Sequence, residues 1–310
     1  MMHSNPEVTN SAPTTRRTFV QRTMLAGAAL GMVSPAKAAE KAAGPYFEDR
    51  GWLLGCWTRP WAAHDYRVGF DAIAEAGFQY VALTGAKTRT GRVISAGTTL
   101  EEAAEVGQEA RQRGLTITTV YGGDAALEKG PQVLQKMIAL CKAAGGWSVM
   151  LSSVGKEDSY EASCKALAQC CQDAAAHQLA VVLKPHGGTT GTGPQLRDCL
   201  QRVDQPNFTL MYDPGNIFYY SQGKIDPVED CEAVQGLVTG MSIKDYLPPD
   251  QVMLTPGTGR VRFPLLMKKL SSGGFGDGPL MIEALSPGDL PHTLAEAKKA
   301  KAFVESWLPA

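Results

Sequence analysis

From Trp52 onward, short apolar runs alternate with longer segments whose apolar residues recur every three or four positions. The short runs predict buried β-strands, and the longer spacing predicts amphipathic helices. Gly77, Gly114 and Gly145 lie just past three of the periodic segments, where helices commonly end. The predicted strands are 52–57, 80–84, 115–120, 148–152, 180–184, 208–212, 241–244 and 280–284. The predicted helices are 67–76, 100–113, 131–144, 160–177, 195–203, 227–238, 263–270 and 291–307.

Strict alternation of strands and helices is typical of parallel strands joined by helical crossovers. Eight such units in about 270 residues predict an α/β fold, a (β/α)8 TIM barrel made of a single domain. No linker or low-complexity block interrupts residues 39–310, so we expect this whole range to form the barrel.

The first 38 residues have a different character. Thr15-Arg16-Arg17-Thr18-Phe19-Val20 is a twin-arginine pattern, residues 23–33 are weakly apolar, and Ala36-Lys37-Ala38 is a small-x-small cleavage site. Residues 1–38 are therefore predicted to be a twin-arginine signal peptide that exports the protein to the periplasm. The alternative is a disordered tail with a chance arginine pair.

Composition narrows the function further. The chain has a net charge of −1, which argues against a nucleic-acid partner. After the signal segment the sequence has no run of about 20 apolar residues, so no membrane span is predicted. The seven cysteines show no CxxC or zinc-like spacing and are interpreted as structural thiols, with a redox pair at Cys170-Cys171 as the alternative. An oligomer is compatible with the sequence.

The chemistry of a (β/α)8 barrel is located where strands end and βα loops begin. Period-2 geometry sends Lys184 and His186 to the same side of their strand, so both side chains are expected in one cavity. Glu283 lies inside an apolar strand and needs a cation or a metal, unless it points outward to a surface lysine. The candidates at strand ends are Arg59, Thr84, Tyr121, Ser152, Lys184, His186, Asp213, Asn216, Lys244, Asp245 and Glu283.

Several of these residues have an alternative interpretation. Asp213-Pro214-Gly215-Asn216 is an ordinary turn sequence; we expect Pro214 and Gly215 to form a turn and Asp213 to face the site. Lys244 and Asp245 are equally compatible with a surface ion pair. His186 could be a capped loop histidine.

Three aromatic residues near the same strand ends, Trp57, Trp61 and Tyr121, could stack on a sugar ring. Aromatic side chains at barrel tops serve as often in packing. Substrate-binding roles are therefore predicted for Trp57 and Tyr121 together with Arg59 and Asn216.

Four of the strand-end motifs resemble those of the xylose isomerase-like barrel family of sugar phosphate isomerases and epimerases. They are Lys184-Pro185-His186, Asp213-Pro214-Gly215-Asn216, Ser242-Ile243-Lys244-Asp245 and Glu283. The family pattern has glutamate-x-histidine on strand five, aspartate on strand six, histidine-x-lysine-aspartate on strand seven and glutamate on strand eight. The resemblance covers nearly all of residues 39–310.

The resemblance implies a divalent metal, Mn²⁺ or Mg²⁺, held by two glutamates, an aspartate and a histidine. Only Asp213 and Glu283 match those ligands, because Lys184 stands at the first glutamate and Ser242 at the histidine. The formal charges of the family's ligands and the divalent ion sum to −1. The formal charges of Lys184, Asp213, Ser242 and Glu283 also sum to −1, without an ion. We therefore favour a metal-independent site in which the Lys184 ammonium takes part of the ion's role.

The resemblance implies an enzyme that isomerises or epimerises a small carbohydrate by proton transfer next to a carbonyl, and the signal segment implies that this enzyme is exported. Catalytic roles are predicted for Glu283 or His186 as base, for Lys184 and Lys244 as donors to the developing oxyanion, and for Asp213. Two alternatives remain open. One is a lyase or dehydratase that eliminates from a keto-sugar or cyclitol in the same pocket, and the other is a non-catalytic carbohydrate-binding barrel.

Overall fold

The computed structural model describes Met1, residues 51–123 and residues 130–308. The chain divides into two compact units, Met1–Val33 and Ser34–Ala310, and the barrel belongs to the second. The predicted twin-arginine motif, its apolar core and its cleavage site lie outside the described residues.

Within the described residues, eight parallel strands close into a barrel in which each strand pairs with its neighbours in chain order and the last pairs with the first. This confirms the predicted (β/α)8 fold. The strands are β1 (Trp52–Trp57), β2 (Tyr80–Leu83), β3 (Thr116–Gly123), β4 (Ser148–Leu151), β5 (Ala180–Leu183), β6 (Phe208–Tyr212), β7 (Val238–Ile243) and β8 (Gly278–Ile282).

Helices follow the strands and cover the outside of the barrel. Asp65, Thr99, Thr192 and Asp289 begin four of them by accepting a backbone N–H bond from the first turn. The helices in the described residues are α1 (Tyr66–Glu75), α2 (Leu100–Gln112), α3 (Pro131–Ala144), α4 (Tyr160–Ala176), α5 (Gly193–Val203), α6 (Pro214–Tyr220), α7 (Pro227–Asp230), α8 (Phe263–Ser272) and α9 (Leu290–Glu305).

Two predictions of local structure are wrong. Pro214 and Gly215 do not form a turn but begin helix α6, because proline suits the first helical position and the Asp213 side chain accepts from Asn216 N. The predicted helix 227–238 shortens to α7 and one 3-10 turn, since Gln235 leaves helical geometry with a ψ of 135° and Gly236 follows with a φ of 75° before β7.

Alternate residues of each strand face opposite sides of the barrel wall. On β5, Ala180 and Val182 pack in the interior cluster, whereas Val181 and Leu183 pack in the outer core against the helices. On β8, Met281 belongs to the interior and Ile282 to the outer core. The same alternation carries the next inward positions beyond the strand ends into the mouth of the barrel.

A hairpin outside the barrel follows β2. Its strands, Lys87–Thr88 and Gly91–Arg92, pair antiparallel with Lys87 opposite Arg92. We call residues 87–92 the rim hairpin. The sequence analysis assigned no structure to this segment.

All seven cysteines are free and buried. Burial raises the pKa of Cys170 to about 11 and raises that of neighbouring Cys171 further. Such thiols remain protonated at neutral pH, which agrees with the structural role predicted for them. In the described part of the chain, none of the helices has the length and apolarity needed to cross a membrane.

Candidate functional site

Four inward-facing residues meet where β5, β6, β7 and β8 end. Lys184 and Asp213 lie one residue beyond β5 and β6, Glu283 lies one residue beyond β8, and Ser242 is near the end of β7. All four residues are buried, with relative exposures between 0% and 4%. Their strands are neighbours in the barrel, so the alternation of the sheet brings them together from distant parts of the sequence.

Lys184 is the cation at the centre of this group. Its Nζ donates to Asp213 Oδ2 at 2.9 Å and to Glu283 Oε2 at 2.6 Å. Burial alone would lower the pKa of Lys184, but the charges of Asp213 and Glu283 outweigh it and raise the pKa above its usual value. Lys184 is therefore a fixed ammonium ion, unsuited to act as a free base.

Glu283 accepts from four donors. Arg59 Nη1 and Lys244 Nζ donate to Oε1 at 2.5 and 3.0 Å, and Ser242 Oγ joins Lys184 on Oε2 at 2.6 Å. Burial alone would raise the pKa of Glu283, but Lys184, Lys244 and Arg59 hold it well below its usual range. Glu283 thus points inward with cationic partners, and the alternative of an outward contact to a surface lysine is wrong.

Lys244 and Asp245 separate rather than forming a surface ion pair. Lys244 Nζ donates to Asn216 Oδ1 at 2.8 Å, and Asn216 Nδ2 donates to Pro185 O at 2.7 Å, which ties β7 to the loop after β5. Burial lowers the pKa of Lys244, and Glu283 partly opposes that effect. Asp245 instead accepts backbone N–H bonds from three residues of the next loop, Gly257, Gly259 and Val261.

A cavity of about 770 Å³ opens above this group. Its floor includes Lys184 and Glu283, and its wall includes Arg59, His186 and Trp57. The volume falls within the range that small-molecule sites usually occupy. The remaining lining residues are Ala62, Thr84, Gly85, Lys87, Thr88, Arg89, Gly91, Arg92, Tyr121, Met150 and Ser152.

His186 is the half-buried titratable group on the cavity wall. Its Nε2 lies 2.9 Å from Tyr220 Oη, and the two rings pack at 4.8 Å between centroids. Tyr220 lies on α6, which begins directly after Asp213, so the helix that Asp213 caps also positions His186. The alternative, in which His186 is capped by its own loop, does not involve a contact with a tyrosine on a separate helix.

The aromatic candidates have different positions. Trp57 lines the cavity but is fully buried among interior residues, and Tyr121 is half-buried with its Oη 3.0 Å from Ser152 Oγ. Trp61 packs in the outer core, away from the cavity lining. Of the three aromatic residues, Tyr121 therefore offers the accessible ring face.

Most of the predicted site residues converge, but only some of them line the cavity and the others lie behind its wall. Lys184, His186, Glu283, Arg59, Tyr121 and Trp57 line the cavity, whereas Asp213, Asn216 and Lys244 lie behind that wall and hold its members. Sequence reasoning missed Tyr220 and the rim hairpin. The closely spaced basic residues Lys87, Arg89 and Arg92, just after the apolar run of β2, were the available signal.

The donor set does not fit the divalent metal that the resemblance implies. Each oxygen of Asp213 and Glu283 already accepts from an N–H or O–H donor, and three cationic side chains contact Glu283. Among residues 51–123 and 130–308, no three His, Cys, Asp or Glu side chains lie together in a way that could hold a metal ion. With Arg59 and Lys244 included, the formal charges of the group no longer sum to −1, so the group opposes binding of a divalent cation.

Comparison with known structures supports the fold. A xylose isomerase domain protein from Planctomyces limnophilus is 20% identical over 83% of this chain and 95% of its own, with a TM-score of 0.63. D-psicose 3-epimerase from Clostridium cellulolyticum H10, solved with D-tagatose, is 14% identical over 83% and 100%, with a TM-score of 0.67. D-allulose 3-epimerase from Methylomonas sp., in complex with D-allulose, is 17% identical over 83% and 98%, with a TM-score of 0.65.

Sequence comparison gives the family. No curated protein sequence matches the chain significantly. The family model described as xylose isomerase-like TIM barrel matches residues 70–307, which span β2 through α9 and include every candidate residue except Trp57, Arg59 and Trp61. The chain therefore belongs to the xylose isomerase-like TIM barrel family.

Proposed function

We propose that the protein is a carbohydrate isomerase or epimerase that moves a proton at the carbon next to a sugar carbonyl. The observation that carries the proposal is the juxtaposition of His186 with the fixed cations Lys184 and Arg59 in one cavity of suitable size. Membership of the family and the structural likeness to sugar 3-epimerases support the same class of reaction.

His186 takes the proton from the substrate carbon, and the electron pair moves onto the carbonyl oxygen to give an enediolate. Lys184 and Arg59 stabilise that oxyanion, because both line the cavity and both are already oriented by Glu283. Isomerisation is completed when His186 returns the proton to the former carbonyl carbon and a proton passes from the neighbouring hydroxyl to the first oxygen. Epimerisation is completed when solvent protonates the original carbon from the opposite face and His186 releases its proton to solvent. Tyr220 positions the imidazole.

Glu283 is assigned a positioning role rather than the role of base. Its two oxygens are held by four donors and its pKa is low, so it has little tendency to accept a proton. Lys244 holds Glu283 in place, and Asp213 holds Lys184. Asn216 holds the loop after β5. No step is assigned to a divalent metal, because the donor set does not fit one.

This arrangement also supports a second candidate, β-elimination from a keto-sugar or cyclitol. Among the cavity-lining residues that the structure describes, His186 is the accessible base once Glu283 is engaged. A site with one base acts on one face of the substrate, which suits elimination of a leaving group from the enediolate better than transfer between two faces.

Solvent deuterium incorporation, measured by mass spectrometry, tests the proposal on a panel of sugars, keto-sugars and cyclitols. Wild type and the control His177→Gln, which changes an exposed histidine at the end of α4, should incorporate deuterium, whereas His186→Gln should not. A product of unchanged mass apart from deuterium indicates isomerisation or epimerisation, and loss of water or an aglycone indicates elimination. Tight sugar binding without any exchange would contradict both proposed enzymatic activities and support a non-catalytic carbohydrate-binding barrel.

Export to the periplasm through the twin-arginine pathway belongs to the same proposal and rests on the sequence pattern at Arg16-Arg17. Replacement of both arginines by lysine should retain the protein in the cytoplasm with an uncleaved N-terminus. Periplasmic recovery of that variant, measured by cell fractionation, would contradict the assignment.

A further inference from the structure

The rim hairpin places two cations on the cavity wall without a carboxylate partner. Lys87 and Arg92 are directly opposite each other in its antiparallel pairing, and both line the cavity. Within the described residues, neither forms an ion pair, whereas Arg89 on the same hairpin pairs with Glu105 at 3.0 Å. Like charges directly opposite on two strands destabilise the pairing. The hairpin thus holds two like charges opposite each other, and Asp65, whose backbone bridges that of Lys87, pairs its carboxylate with Arg67 instead.

The hairpin is nevertheless firmly held. Lys87 N donates to His64 O at 2.8 Å, Val93 N donates to Ala86 O at 2.6 Å, and Thr90 Oγ1 donates to the buried Glu102 carboxylate at 2.5 Å. The two cations therefore project from an anchored backbone. Their position on the cavity wall is a consequence of the fold, and it is maintained by contacts that do not involve their charges.

The charges on the cavity wall are unevenly balanced. Arg59 and Lys184 both contact Glu283, which compensates their charges. Glu283 is the acid among the described lining residues, and its ion pairs are with Arg59, Lys184 and Lys244, so the end of the cavity next to the hairpin keeps a positive charge. A neutral sugar would leave this charge unused, whereas an anion would relieve the repulsion between Lys87 and Arg92.

We propose that Lys87 and Arg92 bind a carboxylate on the substrate, so that the protein acts on a sugar acid rather than a neutral sugar. This inference rests on the proposed function, because it places the reacting carbonyl at Lys184 and His186 and the carboxylate at the hairpin. A guanidinium group matches the two oxygens of a carboxylate, and the lysine adds a second charge-assisted hydrogen bond.

A carboxylate fits this site better than a phosphate ester does. Phosphate sites are commonly built from several backbone N–H groups at a glycine-rich loop or a helix N-terminus. At the hairpin, the backbone N–H groups of Lys87, Thr90 and Val93 already donate within the protein. The hairpin therefore offers side-chain cations rather than a backbone cradle.

Calorimetric binding of matched sugars tests this inference. Wild type should bind keto-hexuronates at least about ten-fold more tightly than the corresponding neutral ketoses, and Lys87→Met and Arg92→Met should each lose most of that preference. Both variants should bind the neutral ketose within about two-fold of wild type. Raising the salt from about 0.02 M to about 0.5 M should weaken binding of the uronate only. Lys165→Met, which changes an exposed lysine on α4, is the control.

The two variants should be at least as stable as wild type, because each removes one member of a repulsive pair. Loss of acid binding can then be separated from loss of fold by a thermal melt. Equal affinity for uronate and ketose, or a preference for a sugar phosphate over the uronate, would overturn the inference.

Deuterium exchange on the same panel separates this inference from the proposed function. Exchange on neutral ketoses, with no preference of wild type for the uronate and no effect of Lys87→Met on uronate binding, would leave the enzyme assignment standing and remove the acid site. Uronate binding that depends on Lys87 and Arg92, without exchange on any sugar, would support the acid site and remove the enzyme assignment.

Discussion

Replacement of Lys184 by methionine tests the central feature of the site, the ammonium ion held between two buried acids. Lys184 bonds Asp213 at 2.9 Å and Glu283 at 2.6 Å, and the three side chains are 4%, 0% and 6% exposed. Removal of one partner from a buried ion pair costs about 3–5 kcal/mol, since the remaining charge has neither solvent nor a counter-ion. Glu283 retains Lys244 and Arg59, so Asp213 bears most of the loss.

We therefore expect Lys184→Met to lower the free energy of unfolding at pH 7 by about 3 kcal/mol, near the lower end of that range. Urea denaturation followed by circular dichroism measures the change. Lys165→Met is the matched control, because Lys165 also pairs with an acid but is 76% exposed, and it should change the free energy by less than about 0.5 kcal/mol.

A double-mutant cycle identifies the cause of the loss. Asp213→Asn in the Lys184→Met background removes the unpaired charge and should recover about 1–3 kcal/mol relative to additivity. A loss below about 1 kcal/mol for Lys184→Met, or strict additivity of the two changes, would refute the conclusion that Lys184 compensates the buried acids.

The remaining predictions concern catalysis, pH and packing. His186→Gln should reduce deuterium exchange at least about 100-fold with an unchanged urea midpoint, measured against wild type under the same conditions. Glu283 has a folded pKa well below its usual value of 4.5, so its charge contributes fully to stability above pH 4.5, and this stability is lost as the pH falls through the folded pKa. Stability below pH 4.5 should therefore depend less steeply on pH in Glu283→Gln than in wild type. Gly215→Ala should cost about 1–3 kcal/mol in urea denaturation, because its Cβ would lie 2.7 Å from Lys244 O, whereas Gly276→Ala has no neighbour within 4 Å and serves as control.

The fold was predictable because its signal is local. Strands β4, β5, β6 and β8 are short, largely apolar runs buried along their whole length, and β1 and β6 begin and end at the predicted residues. The error at 227–238 arose because the apolar spacing continues past Gly236, while the backbone there takes a positive φ that the spacing does not encode. Periodicity reports the buried face of a segment, but it does not report where the backbone stops being helical.

The site was predictable only in part, for a related reason. Lys184, Asp213 and Glu283 converge because parallel strands of a barrel end at one rim, so strand assignment alone brings them together. Lys87 and Arg92 belong to a connection without apolar alternation, and their approach to the cavity depends on the path of the loop. Arg59 was assigned to substrate binding, and its contact with Glu283 could not be derived without the three-dimensional structure.

The contacts of Glu283 imply that it orients cations while a different residue of the site transfers the proton. A carboxylate that binds Lys184, Lys244 and Arg59 orders three cations before any substrate enters, so the electrostatic field at the cavity floor exists in advance. The same contacts make Glu283 a weak base, which transfers the proton chemistry to His186 at the wall. Neutralisation of Glu283 should then impair catalysis by releasing Arg59 and Lys184, and the pH profile of exchange in the residual activity should still follow the histidine.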